Sequence, residues 1–167
     1  MIHEGRWKEF IREIPIKPGD FIQIDPGTVH AIKGGTLLLE TQQSSDITYR
    51  VYDYDRLSNG KPRQLHIAQS IDVITVPAKS AENSVHTEKK NDAIQQLIRC
   101  PYYTVYRIDV EHRVETWQDK PFVLMSVVEG EGTLNGTHLK KGDHLILPDG
   151  YGKVELQGKM QIIASTI

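Results

Sequence analysis

A histidine directly after a rigid turn is the first residue of this sequence that could do chemistry. The segment Asp25-Pro26-Gly27-Thr28-Val29-His30 places an imidazole behind a Pro-Gly turn, at the start of a predicted strand. The turn fixes the backbone locally, and a neutral imidazole that points into a β-barrel can bind a divalent metal ion with little loss of side-chain freedom. A lone histidine also often serves as a hydrogen-bonded structural residue, so both roles stay open.

An arginine in an aromatic segment is the second candidate. Residues 47–56 combine tyrosines with charged side chains. Because side chains alternate along a strand, Thr48, Arg50, Tyr52 and Tyr54 would share one face, and an arginine would stand beside phenolic hydroxyls if that face lined a cavity. The planar guanidinium suits a phosphate or a developing oxyanion. The alternative is an edge strand with a surface Arg-Asp pair.

Glu40 could carry a proton, but its side depends on the preceding turn. If Gly34-Gly35 alone forms the turn, His30 pairs across from Leu39 and Glu40 lies on the opposite face; a turn one residue longer reverses this. The remaining histidines are predicted to be solvated or structural, because no second ligand recurs around them at a metal-binding spacing. They are His3, His66, His86, His112, His138 and His144.

Short runs rich in Val, Ile, Tyr and Thr, bounded by Gly, Pro, Asn and Asp, predict an all-β fold that would position these side chains. Gly34-Gly35 and Asn135-Gly136 are typical of tight hairpin turns, because these residues tolerate positive φ. Short connector helices are predicted over the first dozen residues, 64–71 and 92–98. The predicted strands are 21–25, 36–41, 47–54, 72–76, 102–110, 121–128, 144–147 and 160–166.

An internal repeat predicts two similar β modules. Lys17-Pro18-Gly19-Asp20-Phe21-Ile22-Gln23-Ile24 is echoed by Lys140-Lys141-Gly142-Asp143-His144-Leu145-Ile146-Leu147, and a Pro-Gly-type turn follows each copy. Coincidence between two common turn-strand units is the alternative. The second copy has Gly152 or Lys153 where the counterpart of His30 would fall, so the second module is predicted to be metal-free. The polar stretch 77–91 is a predicted linker.

Composition argues against several classes of partner. The chain of 167 residues has a formal net charge of -2 and a single cysteine, Cys100. This charge offers no attraction to nucleic acid, and one cysteine cannot form an internal disulfide. No segment approaches the roughly 18 apolar residues that a membrane helix requires. We therefore expect a globular cytoplasmic protein that binds neither nucleic acid nor membrane.

Residues 25–56 resemble the signature region of type I mannose-6-phosphate isomerases. The resemblance is carried by Asp25-Pro26-Gly27-Thr28-Val29-His30-Ala31-Ile32, by Gly35-Thr36-Leu37-Leu38-Leu39-Glu40-Thr41-Gln42-Gln43-Ser44-Ser45-Asp46 and by Thr48-Tyr49-Arg50-Val51-Tyr52-Asp53-Tyr54-Asp55-Arg56. The chain is similar to the C-terminal portion of the short bacterial branch, in which a metal-bearing cupin precedes a metal-free cupin. This implies two cupin or jelly-roll-like modules, the first incomplete, at 1–76 and 92–167 with a linker at 77–91.

The resemblance also implies an activity. Members of this family interconvert mannose 6-phosphate and fructose 6-phosphate by zinc-assisted proton transfer between C1 and C2. A divalent metal stabilises the negative charge of the enediolate, a fixed arginine adds a second positive charge, and a general base moves the proton. By the motif, His30 would be a zinc ligand and Arg50 the active-site arginine.

The sequence departs from the family pattern in its metal ligands. The family's other ligands lie upstream of this motif, and no Gln-x-His-Pro segment is present. A catalytic zinc site generally needs about three protein ligands, so this chain alone is predicted to bind zinc weakly or not at all. An incomplete first barrel would expose sheet edges and apolar surface. The expected partners are therefore a sugar phosphate substrate and either the missing N-terminal half or a second copy.

Two other functions compete with the isomerase. The chain could be a non-catalytic cupin that binds a sugar phosphate or another subunit. It could also have a different cupin activity, in which His30 acts with carboxylates such as Asp25 or Glu40. Zinc affinity and isomerase activity separate these hypotheses.

Overall fold

The chain forms two compact units. The computed structural model describes residues 2–45, 47–78, 85–86 and 92–167. The first unit comprises 1–37 and 44–87, and the second comprises 38–43 and 88–167. The predicted linker at 77–91 lies largely outside the described residues, so the predicted module boundaries stay a prediction.

The second unit is an antiparallel sheet of seven strands. The strands are β5 (Ile94–Arg99), β6 (Thr104–Val110), β7 (Arg113–Gln118), β8 (Phe122–Leu134), β9 (Thr137–Lys140), β10 (His144–Pro148) and β11 (Gly152–Thr166). The central path of the sheet runs β10-β8-β11-β6-β5, β7 pairs with β11, and β9 pairs with β8.

The hydrophobic core of the second unit follows from side-chain alternation along these strands. In β11, every second side chain from Val154 to Leu156 and from Met160 to Ala164 is buried. Alternation places this set on one face, where it packs against the inward-facing residues of β6 and β8. The buried core cluster is Ile108, Val110, Val114, Met125, Val127, Leu134, Leu139, Leu147, Val154, Leu156, Met160, Ile162 and Ala164.

Glycines allow β8 and β11 to approach closely. Gly132 lies opposite Gly158, and a Cβ atom on Gly132 would come within 2.1 Å of the carbonyl oxygen of Gln157. Gly158 has a φ of +114°, which an L side chain rarely adopts. Glycine is therefore required at both positions of this strand pair.

The first unit has little regular structure. Its helices are α1 (Trp7–Phe10) and α2 (Ile67–Val73). Its strands are β1 (Phe21–Ile22), β2 (Leu57–Ser58), β3 (Lys61–Pro62) and β4 (Val85–His86), with β1 paired to β4 and β2 to β3. Within the described ranges, no helix is long and apolar enough to cross a membrane.

The internal repeat corresponds to one turn that occurs twice. The amide of Asp20 donates to the carbonyl of Lys17 at 3.2 Å, and the Asp20 carboxylate accepts from the Lys17 amide at 2.9 Å. The same two bonds join Asp143 and Lys140 at 3.0 and 2.8 Å. A strand begins directly after each turn, so the two segments share local structure as well as sequence.

The prediction of a mainly β fold with a few short helices is confirmed, but four predicted elements are wrong. Residues 92–98, predicted as a helix, contain strand β5, because hairpin pairing with β6 outweighs the helical spacing of the apolar residues. Residues 72–76 contain the end of α2, and the predicted strands 36–41 and 47–54 have no strand assignment. Their β-type composition finds no partner strand among the described residues.

Candidate active site

The ring of His30 is oriented by a backbone carbonyl. Its Nδ1 lies 2.9 Å from the carbonyl oxygen of Thr28. A carbonyl can only accept a hydrogen bond, so Nδ1 carries the hydrogen and Nε2 keeps its lone pair. Histidines that bind metals are commonly held this way, with the other ring nitrogen bonded to a carbonyl. The side chain is exposed, and Nε2 is therefore able to act as a ligand.

The turn before His30 is fixed against the end of α2. The amide of Thr28 donates to the carbonyl of Asp25 at 3.2 Å, and the amide of Thr75 donates to the carbonyl of Gly27 at 3.0 Å. A side chain on Gly27 would meet the Thr75 hydroxyl oxygen at 2.5 Å, and Gly27 has a φ of +81°. The predicted role of Pro26 and Gly27 in fixing the backbone agrees with this contact.

Arg50 is held through its backbone by His66, the residue before α2. The Arg50 amide donates to Nδ1 of His66 at 3.2 Å, and the His66 amide donates to the Arg50 carbonyl at 2.7 Å. The Arg50 guanidinium also donates to the carbonyl of Gln64 at 3.4 Å. His66 therefore has the structural role that was predicted for it, and it positions the arginine.

Three arginines surround the buried carboxylate of Asp53, which is 5% exposed. Arg63 donates to it at 2.6 Å and through a second short bond, and Arg56 donates at 2.7 Å. The Nε of Arg50 is more distant, 3.7 Å from Oδ1. Three cations against one carboxylate leave this cluster with a net charge of +2. Arg50 has the weakest tie to Asp53, so its charge is the least neutralised.

Tyr52 and Tyr54 belong to a different arrangement from the predicted one. Tyr52 stacks on Trp7 with ring centroids 5.0 Å apart, and Tyr54 lies 4.7 Å from Tyr52. Together with Arg6 and Glu9 they line a cleft of about 470 Å³. Residues 47–54 do not form a strand, so the alternation that would have put these tyrosines on one face with Arg50 does not apply. Arg50 does not line this cleft.

The chain is similar to mannose-6-phosphate isomerases. Residues 93–167 match the family model described as mannose-6-phosphate isomerase, cupin domain. The chain is 46% identical to mannose-6-phosphate isomerase ManA of Bacillus subtilis, over 99% of this chain and 54% of that protein. It is 42% identical to the mannose-6-phosphate isomerase of Streptococcus mutans, over 99% of this chain and 54% of that protein.

Residues 93–167 are similar to the cupin domain of mannose-6-phosphate isomerases. The predicted resemblance to mannose-6-phosphate isomerases is confirmed, because the sequence similarity extends over nearly the whole chain. The crystal structure of the Bacillus subtilis mannose 6-phosphate isomerase superposes on the whole chain with a TM-score of 0.90 and 42% identity, covering 55% of that structure. This chain spans about half the length of the relatives that it matches.

The described residues do not complete a zinc site of the kind the family uses. Among them, no three His, Cys, Asp or Glu side chains are grouped closely enough to hold a metal ion. The suggested combination of His30 with Asp25 and Glu40 does not form such a group among the described residues. His30 can offer its Nε2 as one ligand of a metal ion, because Nδ1 is bonded to the Thr28 carbonyl.

Sequence reasoning missed the residues that hold Arg50. A surface Arg-Asp pair was the alternative considered for segment 47–56, but Asp53 is buried and shared by three arginines. Its position three residues after Arg50 was a usable signal. Arg63 and His66 gave no signal, because their contacts with 50–53 depend on the path of the chain between 56 and 67.

The pKa of Asp53 predicts an acid-sensitive first unit. The hydrogen bond from Arg63, followed by that from Arg56, lowers this pKa from 3.8 to about 2. The ionised carboxylate therefore stabilises the folded state above about pH 4, and this contribution is lost as the pH falls from 4 toward 2. Thermal unfolding followed between pH 2 and 6 should show a stability loss in this window for the unmodified chain.

Two variants test whether the Asp53 carboxylate causes the loss of stability below about pH 4. Asp53→Asn is expected to flatten the pH dependence over that window and to lower the unfolding temperature at pH 7. Asp72→Asn, an exposed position in α2, should leave the pH profile unchanged. An Asp53→Asn profile that still falls below pH 4 as steeply as that of the parent would assign the acid sensitivity to other carboxylates.

Proposed function

We propose that this chain is the C-terminal portion of a cytoplasmic mannose-6-phosphate isomerase and that it contributes His30 and Arg50 to the active site. The observation that carries the proposal is the His30 ring, whose Nδ1 is occupied by the Thr28 carbonyl at 2.9 Å, so that Nε2 is the nitrogen presented to a metal. The similarity to isomerases of Bacillus subtilis and Streptococcus mutans over nearly the whole chain supports the same function.

The proposed reaction interconverts mannose 6-phosphate and fructose 6-phosphate. Moving a proton between C1 and C2 places negative charge on the substrate oxygens, and a fixed cation lowers the energy of that state. Arg50 suits this role, because its backbone is bonded on both sides by His66 and its guanidinium is only loosely tied to Asp53. When bound, zinc supplies a second positive charge, and we propose that its remaining ligands come from the part of the full-length enzyme that this chain does not match.

Exposed apolar side chains of the first unit support a partner surface. Isolated folded domains seldom expose so many large apolar residues together. We propose that the missing N-terminal half covers them, or that a second copy does so when that half is absent. The most exposed of them are Ile32, Leu37, Ile47, Leu57 and Val76.

A chimera tests the isomerase proposal directly. In it, this chain replaces the matching 54% of Bacillus subtilis ManA, whose remaining sequence is retained. The chimera supplied with zinc is expected to isomerise mannose 6-phosphate, whereas this chain alone with zinc should not. A folded, zinc-loaded chimera without activity would favour the alternative, a non-catalytic cupin that binds a sugar phosphate or another subunit.

His30→Ala in the chimera is expected to weaken zinc binding by roughly 100-fold or more, because it removes a ligand from the metal itself. The measurement is competition for zinc with a chelating dye, accompanied by metal analysis of the purified protein. His138→Ala is the control, because His138 is an exposed histidine in the second unit with only a 3.8 Å contact to Glu131. Equal zinc affinity of both variants would remove His30 from the proposed site.

A further inference from the structure

A cleft of about 720 Å³ lies at one end of the sheet of the second unit. Its walls are the β5–β6 turn, the β7–β8 connection and the end of β11. Its size falls within the range of about 300–1,000 Å³ that is usual for small-molecule sites. His30 and Arg50 do not line it, and the function proposed above makes no use of it.

Backbone hydrogen bonds fix the wall formed by the β5–β6 turn. Arg99 pairs with Thr104 as the last rung of the hairpin, and the Cys100 amide donates to the carbonyl of Tyr103 at 2.9 Å. Thr104 in turn pairs with Thr166 of β11. The Thr166 hydroxyl donates to the carbonyl of Phe122 at 2.5 Å, which ties the end of β11 to the start of β8.

A buried amide fixes the opposite wall. The Gln118 side chain, 4% exposed, accepts from the Lys120 amide at 3.0 Å and donates to the Lys120 carbonyl at 2.8 Å. The same amide nitrogen also reaches the carbonyls of Leu147 and Pro148 at 3.3 and 3.1 Å. The backbone of Lys120 is therefore preorganised, and a ligand would not have to order it.

The chemistry of the cleft is cationic and phenolic. Arg99 and Lys120 line it together with Tyr102, Tyr103 and Tyr106; no Asp or Glu is among the described residues that line it, and the carboxylate present there is the main-chain carboxylate of Ile167. Two cations that face one hollow repel each other, and a bound dianion would relieve that repulsion. The tyrosines offer hydroxyl donors and ring faces for an organic body.

The charge of Lys120 is already shared with a neighbour outside the cleft lining. Asp119 accepts a hydrogen bond from its ammonium group at 2.6 Å. This hydrogen bond is the main cause of the raised pKa of Lys120, and the charge of Asp119 is the next. The charge of Tyr106 raises this pKa further, whereas the charge of Arg99 lowers it. Arg99 and Lys120 both line the cleft, and Asp119 competes with any anion for the ammonium group.

We propose that this cleft binds a small phosphate monoester, with Arg99 and Lys120 on the phosphate and the tyrosines on the organic body. A phosphate monoester carries a charge of about -1.5 to -2 at pH 7, which matches two cations, whereas a carboxylate carries only half as much. The planar fork of arginine suits phosphate oxygens, and lysine adds a point charge. The proposal does not depend on the isomerase function, since it uses a different unit of the chain.

Titration of the ¹⁵N-labelled chain with glucose 6-phosphate tests this site. Amide signals of 99–104 and 119–121 are expected to shift, inorganic phosphate should shift the same signals with lower affinity, and glucose should leave them unchanged. Lys120→Gln is expected to weaken glucose 6-phosphate binding by roughly tenfold, the loss of one charge-assisted hydrogen bond. Asp119→Asn is expected to strengthen it by about two- to fivefold, because it frees the ammonium group.

Two control variants separate this site from the proposed active site. Lys159→Gln removes a surface lysine of the same unit that lies 3.6 Å from Glu111, and it should bind the probe like the parent chain. Arg50→Gln should also retain binding, even if the isomerase proposal fails. Three results would each overturn the proposal. The first is equal affinity of Lys120→Gln and Lys159→Gln for glucose 6-phosphate, and the second is weaker binding by Asp119→Asn than by the parent chain. The third is that only amide signals of the first unit shift.

Discussion

Arg50→Gln in the chimera is expected to lower kcat/KM for mannose 6-phosphate by roughly 100- to 1,000-fold, the usual effect of removing one preorganised charge from an oxyanion. Glutamine keeps amide donors, but it is shorter than arginine and has no charge. The backbone bonds between residue 50 and His66 use no side-chain atom of Arg50, so they remain available in the variant. Initial rates in a coupled assay for fructose 6-phosphate measure the effect.

Arg56→Gln is the control for this prediction, because Arg56 contacts the same carboxylate as Arg50. Arg56 also bonds to Asp53, but its side chain is 62% exposed, whereas that of Arg50 is 25% exposed. Arg56→Gln should change kcat/KM by only a few fold. If both variants lose activity equally, together with a lower unfolding temperature, Arg50 has a structural role in the cluster and no direct role in the reaction.

Leu156→Ala is expected to lower the free energy of unfolding of the second unit by about 2–5 kcal/mol, because it leaves a cavity in a packed core. Leu156 is fully buried, and its strand pairs with both β7 and β8 at this position. The two units can unfold separately, so urea titration should be followed through amide signals of the second unit.

A matched apolar truncation shows whether burial is the cause. Ile146 in β10 is 60% exposed, and Ile146→Ala should change the unfolding free energy by at most about 0.5 kcal/mol. A loss of less than 1 kcal/mol for Leu156→Ala would mean that the core around β11 relaxes to fill the space.

Sequence reasoning was most successful where local chemistry decides the structure. The turn of Asn135-Gly136 was predicted from two residue types, and it joins β8 to β9 with Leu134 paired to Thr137 and positive φ at both positions. The repeated Gly-Asp turns were predicted from similarity alone and share their hydrogen bonds. Such turns are set within four residues, so the sequence contains the needed information.

Prediction failed where distant segments decide. The spacing of Ile94, Leu97 and Ile98 fits a helix as well as a strand, and only the presence of β6 alongside makes it a strand. The segment 47–56 has the composition of a strand, but its Arg50 contacts His66 and its Asp53 contacts Arg63. Those contacts are not local, so composition could identify Arg50 as a candidate but could not describe its surroundings.

The position of β11 has a consequence for how the second unit forms during synthesis. This strand pairs with β6, β7 and β8, so three earlier strands share it as a neighbour. During synthesis on a ribosome, strands β5 to β10 would therefore emerge before β11, the strand that joins them. Their apolar side chains would stay exposed to solvent until residues 152–166 have left the exit tunnel. Slowed translation around residues 152–166 should consequently raise the demand of this protein for chaperones.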